Sequence, residues 1–125
     1  VEAIYIPSTE VSPLVEFNLI DTTLTLEGKI IPENVEEVFF PINTWIDKYF
    51  AENESLNVVF RLYYYNTSSF KRLYNLCRSL DAYSQNDKKI KVRWEYLEED
   101  EDSKLDAEGL LENVHYPYEV VEVSA

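Results

Sequence analysis

Leu56, Val58, Phe60, Leu62 and Tyr64 alternate with Asn57, Val59, Arg61, Tyr63 and Tyr65. A period of two with apolar bulk on both faces predicts a central β-strand over 56–65. After a polar break the period changes. Phe70, Leu73, Tyr74, Cys77 and Leu80 recur at three- and four-residue steps, which predicts an amphipathic helix over 68–84. Ile90, Val92, Trp94 and Tyr96 then alternate with Lys89, Lys91, Arg93 and Glu95, a strand with one wet face. A strand, a helix and a second strand of this length make a crossover unit, so the two strands are expected to run parallel.

The flanking segments read less sharply. Glu2 to Ile6 alternates weakly, as an edge strand would. Val15, Phe17 and Leu19, then Leu24 and Leu26, interleave with polar residues around a turn-like Ile20-Asp21-Thr22. They predict a hairpin at 14–19 and 23–28, closed by Gly28. Asn34 follows the breaker Ile31-Pro32-Glu33 as a candidate helix cap. Val35, Val38, Phe39, Ile42, Trp45, Ile46 and Tyr49 keep helical spacing across Pro41. Proline in a helix interior loses a hydrogen bond, so the expectation is a short turn at 34–39 and a helix from about 40 to 51. Glu98 to Glu108 carries seven acids in eleven residues and fits a loop or a frayed helix. Tyr116, Tyr118, Val120 and Val123 are β-prone, and Pro117 points to an edge strand. Alternating strands and helices without a repeat or linker predict one α/β domain spanning 1–125.

Composition narrows the function. The formal charge is −13, which repels phosphate backbones and anionic lipid surfaces. Nucleic-acid binding is therefore not expected, and basic or mixed-charge protein partners are favoured. No apolar run is long enough to span a bilayer and no signal-peptide pattern opens the chain, so neither membrane insertion nor secretion is expected. The single cysteine, Cys77, allows no internal disulfide and fits a cytoplasmic protein with a buried thiol.

The polar break is Tyr65-Asn66-Thr67-Ser68-Ser69, placed where a strand hands over to a helix. Asn66, Thr67 or Ser68 can cap the first turn. The same free N–H groups and positive dipole end favour a phosphoryl group. Nucleophilic catalysis at Thr67 or Ser68 needs a base, and the single histidine, His115, comes with no supporting signature. His115 is expected at an edge or exposed. Asp100, Asp102 and Glu108 lack the glycine and spacing of an EF-hand loop, so a solvated charge run is expected rather than a metal site. Lys89, Lys91 and Arg93 form a basic stripe whose expected partners are acids on neighbouring strands. With two glycines, Gly28 and Gly109, the chain has no phosphate-cradling loop. No cofactor is expected.

Taken in order, Gly28-Lys29-Ile30-Ile31-Pro32-Glu33-Asn34, Phe40-Pro41 with Trp45 and Tyr49, Tyr65-Asn66-Thr67-Ser68-Ser69 with Lys71, and Val92-Arg93-Trp94-Glu95-Tyr96 resemble the SiaC-type regulatory phosphoproteins. The resemblance covers nearly the whole chain. It implies a STAS-like two-layer sandwich, a mixed β-sheet with helices packed on one face, the fold of anti-sigma-factor antagonists. It implies a non-enzymatic partner switch in which Thr67 is phosphorylated by a dedicated kinase and released by a PP2C-like phosphatase. Asn66, Ser68 and Ser69 form the local setting. The unphosphorylated form would bind and activate a diguanylate cyclase, in cyclic-di-GMP and biofilm signalling. An anti-sigma-factor antagonist and a STAS-type ligand-binding module are the alternatives. The chain departs from the family pattern at Leu105-Asp106-Ala107-Glu108-Gly109-Leu110-Leu111, where the spacing around the Glu-x-Gly element is altered.

Overall fold

A computed structural model describes residues 3–124. The elements in order are β1 (Tyr5–Ile6), β2 (Leu14–Asn18), β3 (Thr23–Ile30), α1 (Glu36–Glu52), β4 (Ser55–Tyr65), α2 (Thr67–Gln85), β5 (Lys89–Leu97), α3 (Glu101–Leu111) and β6 (Tyr118–Val123). The six strands form one mixed sheet in sequential order. β1, β2 and β3 pair antiparallel, and β3 to β6 pair parallel through three helical crossovers. Strands are added in one direction without reversal, so crossovers of one hand lay all three helices on the same face. The expected parallel pairing of 56–65 with 89–96 is present, with Ser55 opposite Lys89 and Phe60 opposite Trp94.

The buried face is written in alternate residues. Leu24 and Leu26 of β3, Leu56, Val58, Phe60 and Leu62 of β4, and Ile90, Val92, Trp94 and Tyr96 of β5 form its floor. Leu73, Leu76, Cys77 and Leu80 of α2 close over it, beside Ala107, Leu110 and Leu111 of α3. Burial pushes the Cys77 thiol up to about 12, which leaves it a structural thiol. β4 is central, as its pattern predicts, although its second face is open rather than covered. There Arg61 pairs with Glu27 and Glu95, and Arg93 pairs with Glu95 and Glu119. Burial opposes the charge on Glu95, but the two guanidinium groups outweigh it and hold the carboxyl below its usual range.

Three details depart from the sequence expectations. Helix α1 is one helix that runs through Pro41. The carbonyl freed by the missing proline N–H is that of Glu37, an exposed residue that water can satisfy. Val38, Phe39, Ile42, Trp45, Ile46, Tyr49 and Phe50 are buried on both sides of Pro41, and that burial outweighs the roughly 3 kcal/mol cost of an interior proline. Asn34 does act at the helix start, its Oδ1 accepting from the Glu36 N–H at 3.1 Å. Secondly, Gly28 does not close the hairpin. It lies inside β3 at φ +122°, a conformation that favours glycine, and the strand continues to Ile30. Thirdly, the β3–β4 register shifts at this point: Gly28 faces Leu62, but Lys29 faces Tyr64. Tyr63 is the extra residue of a bulge, and the alternation of β4 inverts after it. Tyr64 is exposed, while Tyr65 turns towards Trp94 on the helix side.

At the edges, β1 covers Tyr5–Ile6 of the expected 2–6, with Glu2 outside the described residues. β6 is the opposite edge, entered after Pro117 as predicted. Among the described residues no helix is long and apolar enough to cross a membrane. The core and the bulge should respond differently to truncation. Phe60→Ala, at a fully buried position, is expected to cost about 3–5 kcal/mol in urea unfolding. Tyr63→Ala, on the open side of the bulge, is expected to cost under about 1 kcal/mol.

Candidate functional site

Three constraints meet at the C-terminal end of β4. The Asn66 N–H donates to the Ile30 carbonyl at 3.2 Å, pinning the end of β4 to β3. Asn66 then leaves the strand with φ −87° and ψ 176° and becomes the N-cap of α2. Its Oδ1 accepts from the Ser69 N–H at 3.0 Å and lies 3.2 Å from the Ser68 Oγ, which donates to it. Of the three capping candidates, Asn66 is the cap.

That assignment sorts the hydroxyls. Ser69 is 0% exposed, and its Oγ has no partner among the described residues. No kinase can reach it without unfolding the first turn. The exposed Ser68 spends its hydroxyl proton on the cap. Thr67 occupies the first helical position, is exposed, and makes no side-chain hydrogen bond among the described residues. The N–H groups of Thr67 and Ser68 have no intrahelical acceptor, as at any helix start. The first turn of this nineteen-residue helix holds no acidic side chain, so its positive end is uncompensated from within.

Beside Thr67 lies a shallow cavity of about 240 Å³, lined by Tyr65, Asn66, Thr67, Phe70 and Asp106. The bulge in β4 is what brings Tyr65 here. Its ring stacks on Phe70 with centroids 6.1 Å apart and meets Trp94 edge-on at 6.2 Å. Its hydroxyl donates to Asp106 Oδ2 at 2.6 Å. Burial, and then the bond to Asp106, push the Tyr65 phenol far above its ordinary range. The hydroxyl stays protonated, and the bond is one of a neutral donor to a charged acceptor. On the other side Lys71, exposed and four residues along α2, shares the helix face of Thr67. An ion pair between Arg72 and Glu36 ties the start of α2 to that of α1.

Asp106 belongs to the acidic run 98–108, whose sequence left its structure open between loop and helix. The run is a capped helix: Asp100 Oδ1 accepts from the Ser103 N–H at 3.0 Å. Ser103 Oγ in turn accepts from Trp94 Nε1 at 2.9 Å, which fixes α3 against β5. Arg78 Nη2 reaches the Leu110 and Glu112 carbonyls at 3.0 and 2.9 Å and closes the other end. The Asp100-to-Ser103 cap and the Ala107, Leu110, Leu111 spacing were the available signals for this helix. Nothing in them singled out Asp106 as the residue facing Thr67. Among the described residues no group of three or more His, Cys, Asp or Glu is placed to hold a metal ion.

The structure does not bring His115 to Thr67. The His115 N–H and ring Nδ1 are bonded to Asp81, at 2.6 and 3.0 Å from Oδ1 and Oδ2. Asp81 is fourteen positions beyond Thr67 on α2, about 21 Å along the axis. The imidazole is therefore no base for that hydroxyl. It lies exposed beside β6, as the sequence predicts.

Comparison with known proteins places the chain. The model for SiaC family regulatory phosphoproteins matches residues 6–123. The chain belongs to this family. An uncharacterised Pseudomonas aeruginosa protein (strain UCBPP-PA14) is 27% identical over 118 residues, which is 94% of each chain. Apo-SiaC from Pseudomonas aeruginosa superimposes with a TM-score of 0.86 at 25% identity, over 98% of this chain and 100% of that one. The crystal structure of the Pseudomonas aeruginosa diguanylate cyclase SiaD in complex with its activator SiaC contains a similar chain, with a TM-score of 0.89 at 26% identity. There 96% of this chain and 99% of that one are covered. The α/β architecture expected from the resemblance is thus that of solved SiaC structures.

The Asp81–His115 pair makes a pH prediction. Burial opposes the Asp81 charge, but the two bonds from His115 and the nearby Arg78 charge outweigh it and hold the carboxyl below its usual range. A lowered folded-state pKa stabilises the fold above the ordinary carboxylate value, about 3.9, and that contribution is lost as pH falls through the folded value. Asp81→Asn is expected to cost about 1–3 kcal/mol at neutral pH and to flatten the acid limb below about pH 4. Urea midpoints measured from pH 7 down to pH 2 test both.

Proposed function

We propose that the protein is a non-enzymatic partner switch controlled by phosphorylation at Thr67. The observation that carries this reading is the division of labour at the start of α2. Asn66 satisfies the cap, Ser69 is buried, Ser68 is bonded to Asn66, and Thr67 is left exposed with a free hydroxyl. A phosphoryl group there adds about −1.5 to −2 charges next to free N–H groups. Lys71 attracts it from the same helix face. Asp106, across the shallow cavity, repels it. Because the acceptor is not the cap, none of the helix-start bonds has to break, and the change is confined to the surface that a partner meets.

The target, in this reading, is a diguanylate cyclase, engaged and activated by the unphosphorylated form as SiaC activates SiaD. A protein kinase writes the phosphate and a PP2C-like phosphatase removes it, in the cytoplasm. The docking face is the start of α2 with the adjoining end of β4 and α3. Exposed Phe40, Tyr64, Tyr74 and Leu105 supply apolar area on those elements and on α1. The anti-sigma-factor alternative shares the switch and differs only in the protein captured.

Binding to the cyclase measured by calorimetry for three forms decides the matter. Thr67→Ala is expected to keep wild-type affinity, and Thr67→Asp and phospho-Thr67 to lose at least about tenfold, or 1.4 kcal/mol. All three should melt within a few degrees of wild type. Equal affinity of the three forms sinks the switch, and capture of an anti-sigma factor in place of a cyclase transfers it to the alternative. Mass spectrometry after incubation with the kinase should place the phosphate on Thr67 and leave Ser69 unmodified. Removing the cap with Asn66→Ala is expected to cost about 1 kcal/mol in unfolding experiments while sparing the acceptor.

A further inference from the structure

The basic stripe on β5 is only partly neutralised. Arg93 is paired with Glu95 and Glu119, as the sequence leads one to expect. Lys89 and Lys91, on the same face, have no acidic partner among the described residues. Their parallel register places Ser55 and Asn57 opposite them on β4, where an acid would have completed the pattern of the network above. In a chain with 24 acidic and 11 basic side chains, two exposed cations two residues apart without a counter-charge demand an account.

The fold adds to them. A cleft of about 510 Å³ opens at the N-terminal ends of β4 and β5, lined by Ser55, Ser84, Lys89, Lys91 and His115 among others, and no Asp or Glu lines it. The Ser55 and Ser84 hydroxyls make no hydrogen bond among the described residues. Lys88 also borders the cleft, held by the Asn53 carbonyl and Glu54 at 3.0 and 3.2 Å. Ile90 and Pro117 give it an apolar side. The two free ammonium stems stand about 7 Å apart along the strand, near enough to close on one phosphate or pyrophosphate group from both sides. Volume, donors and an apolar flank are those of a small-ligand site.

We propose that this cleft binds a small phosphate-bearing molecule of nucleotide size, with Lys89 and Lys91 on the phosphate and the serine hydroxyls beside it. The site stands apart from the switch. β4 separates its Ser55 end from Thr67 by about 33 Å. Concavity and the close pairing of the lysines favour a compact polyanion over an extended acidic peptide.

The test is titration of the ¹⁵N-labelled full chain with ATP and, separately, pyrophosphate, at about 0.15 M ionic strength to screen the overall negative field. The expected result is saturable shifts confined to residues around 55–57, 84, 88–91 and 115–117, for at least one of the two. The double variant Lys89→Gln/Lys91→Gln should weaken that binding about tenfold or more. Both side chains are exposed, and an unchanged spectrum of the free variant verifies its fold. No saturable shift with either ligand up to about 5 mM overturns the proposal, as does equal affinity in the variant. Tighter binding of a poly-glutamate peptide than of either phosphate compound reassigns the cleft to a protein partner and overturns it too.

Discussion

A single inserted residue in β4 sets the geometry of the candidate site. Six parallel-register pairs, from Thr23–Asn57 to Gly28–Leu62, hold β3 and β4 in step, and then Tyr63 drops out of the ladder. Without that bulge Tyr65 would point to the open face with Arg61 and Tyr63, as strict alternation demands. With it, Tyr65 turns to the helix side and reaches Phe70, Trp94 and Asp106. The Asn66 N–H then bonds to the Ile30 carbonyl, so the strand ends at a fixed point and α2 begins at the next residue. Gly28 permits this from the other side, at a positive φ that a side chain would strain.

The parts legible in the sequence were those governed by long, uniform patterns. The period of two in 56–65 and 89–96 and the helical spacing of Phe70 to Leu80 are each set by one buried face, and the structure follows them within a residue or so. Where two local rules compete, pattern alone cannot choose. Pro41 argued for a helix break, but seven buried side chains flanking it keep α1 whole. Gly28 argued for a strand end, but the pairing with β4 carries β3 two residues further. The bulge is a relation between two strands, and the mark it left in the sequence, Gly28, reads equally as a strand end.

The same distinction applies at the site. Asn66, Thr67, Ser68 and Ser69 were visible as a polar break, yet their roles separate only in three dimensions. Asn66 lies three residues, nearly one turn, before the Ser69 N–H and takes the cap, while Ser69 faces the core because α2 packs on β4 and β5. Asp106 was hidden in a run of like residues. Which acid of such a run faces β4 depends on the phase of α3, and that phase is set by Trp94 holding Ser103. The lysines of β5 carry the converse lesson. Their strand pattern predicted acidic neighbours, and the register supplied Glu119 to Arg93 but only Ser55 and Asn57 to Lys89 and Lys91.

Charge ties these observations together. In a chain of net charge −13, an additional phosphate on a random surface site would mostly add to a field already repulsive to anions. Thr67 is not such a site. It stands at the positive end of α2, with Lys71 one turn on and Asp106 and the apolar Phe70 lining the adjoining cavity, so a phosphoryl group would change the local field from mixed to strongly negative. A hydroxyl that served as the cap would have to give up the Ser69 N–H on phosphorylation, coupling the signal to unfolding of the first turn. Separating cap from proposed acceptor by one residue removes that coupling. Under the proposed switch the helix start would stay intact in both states, and the free energy of phosphorylation would be expressed at the surface instead of in the fold.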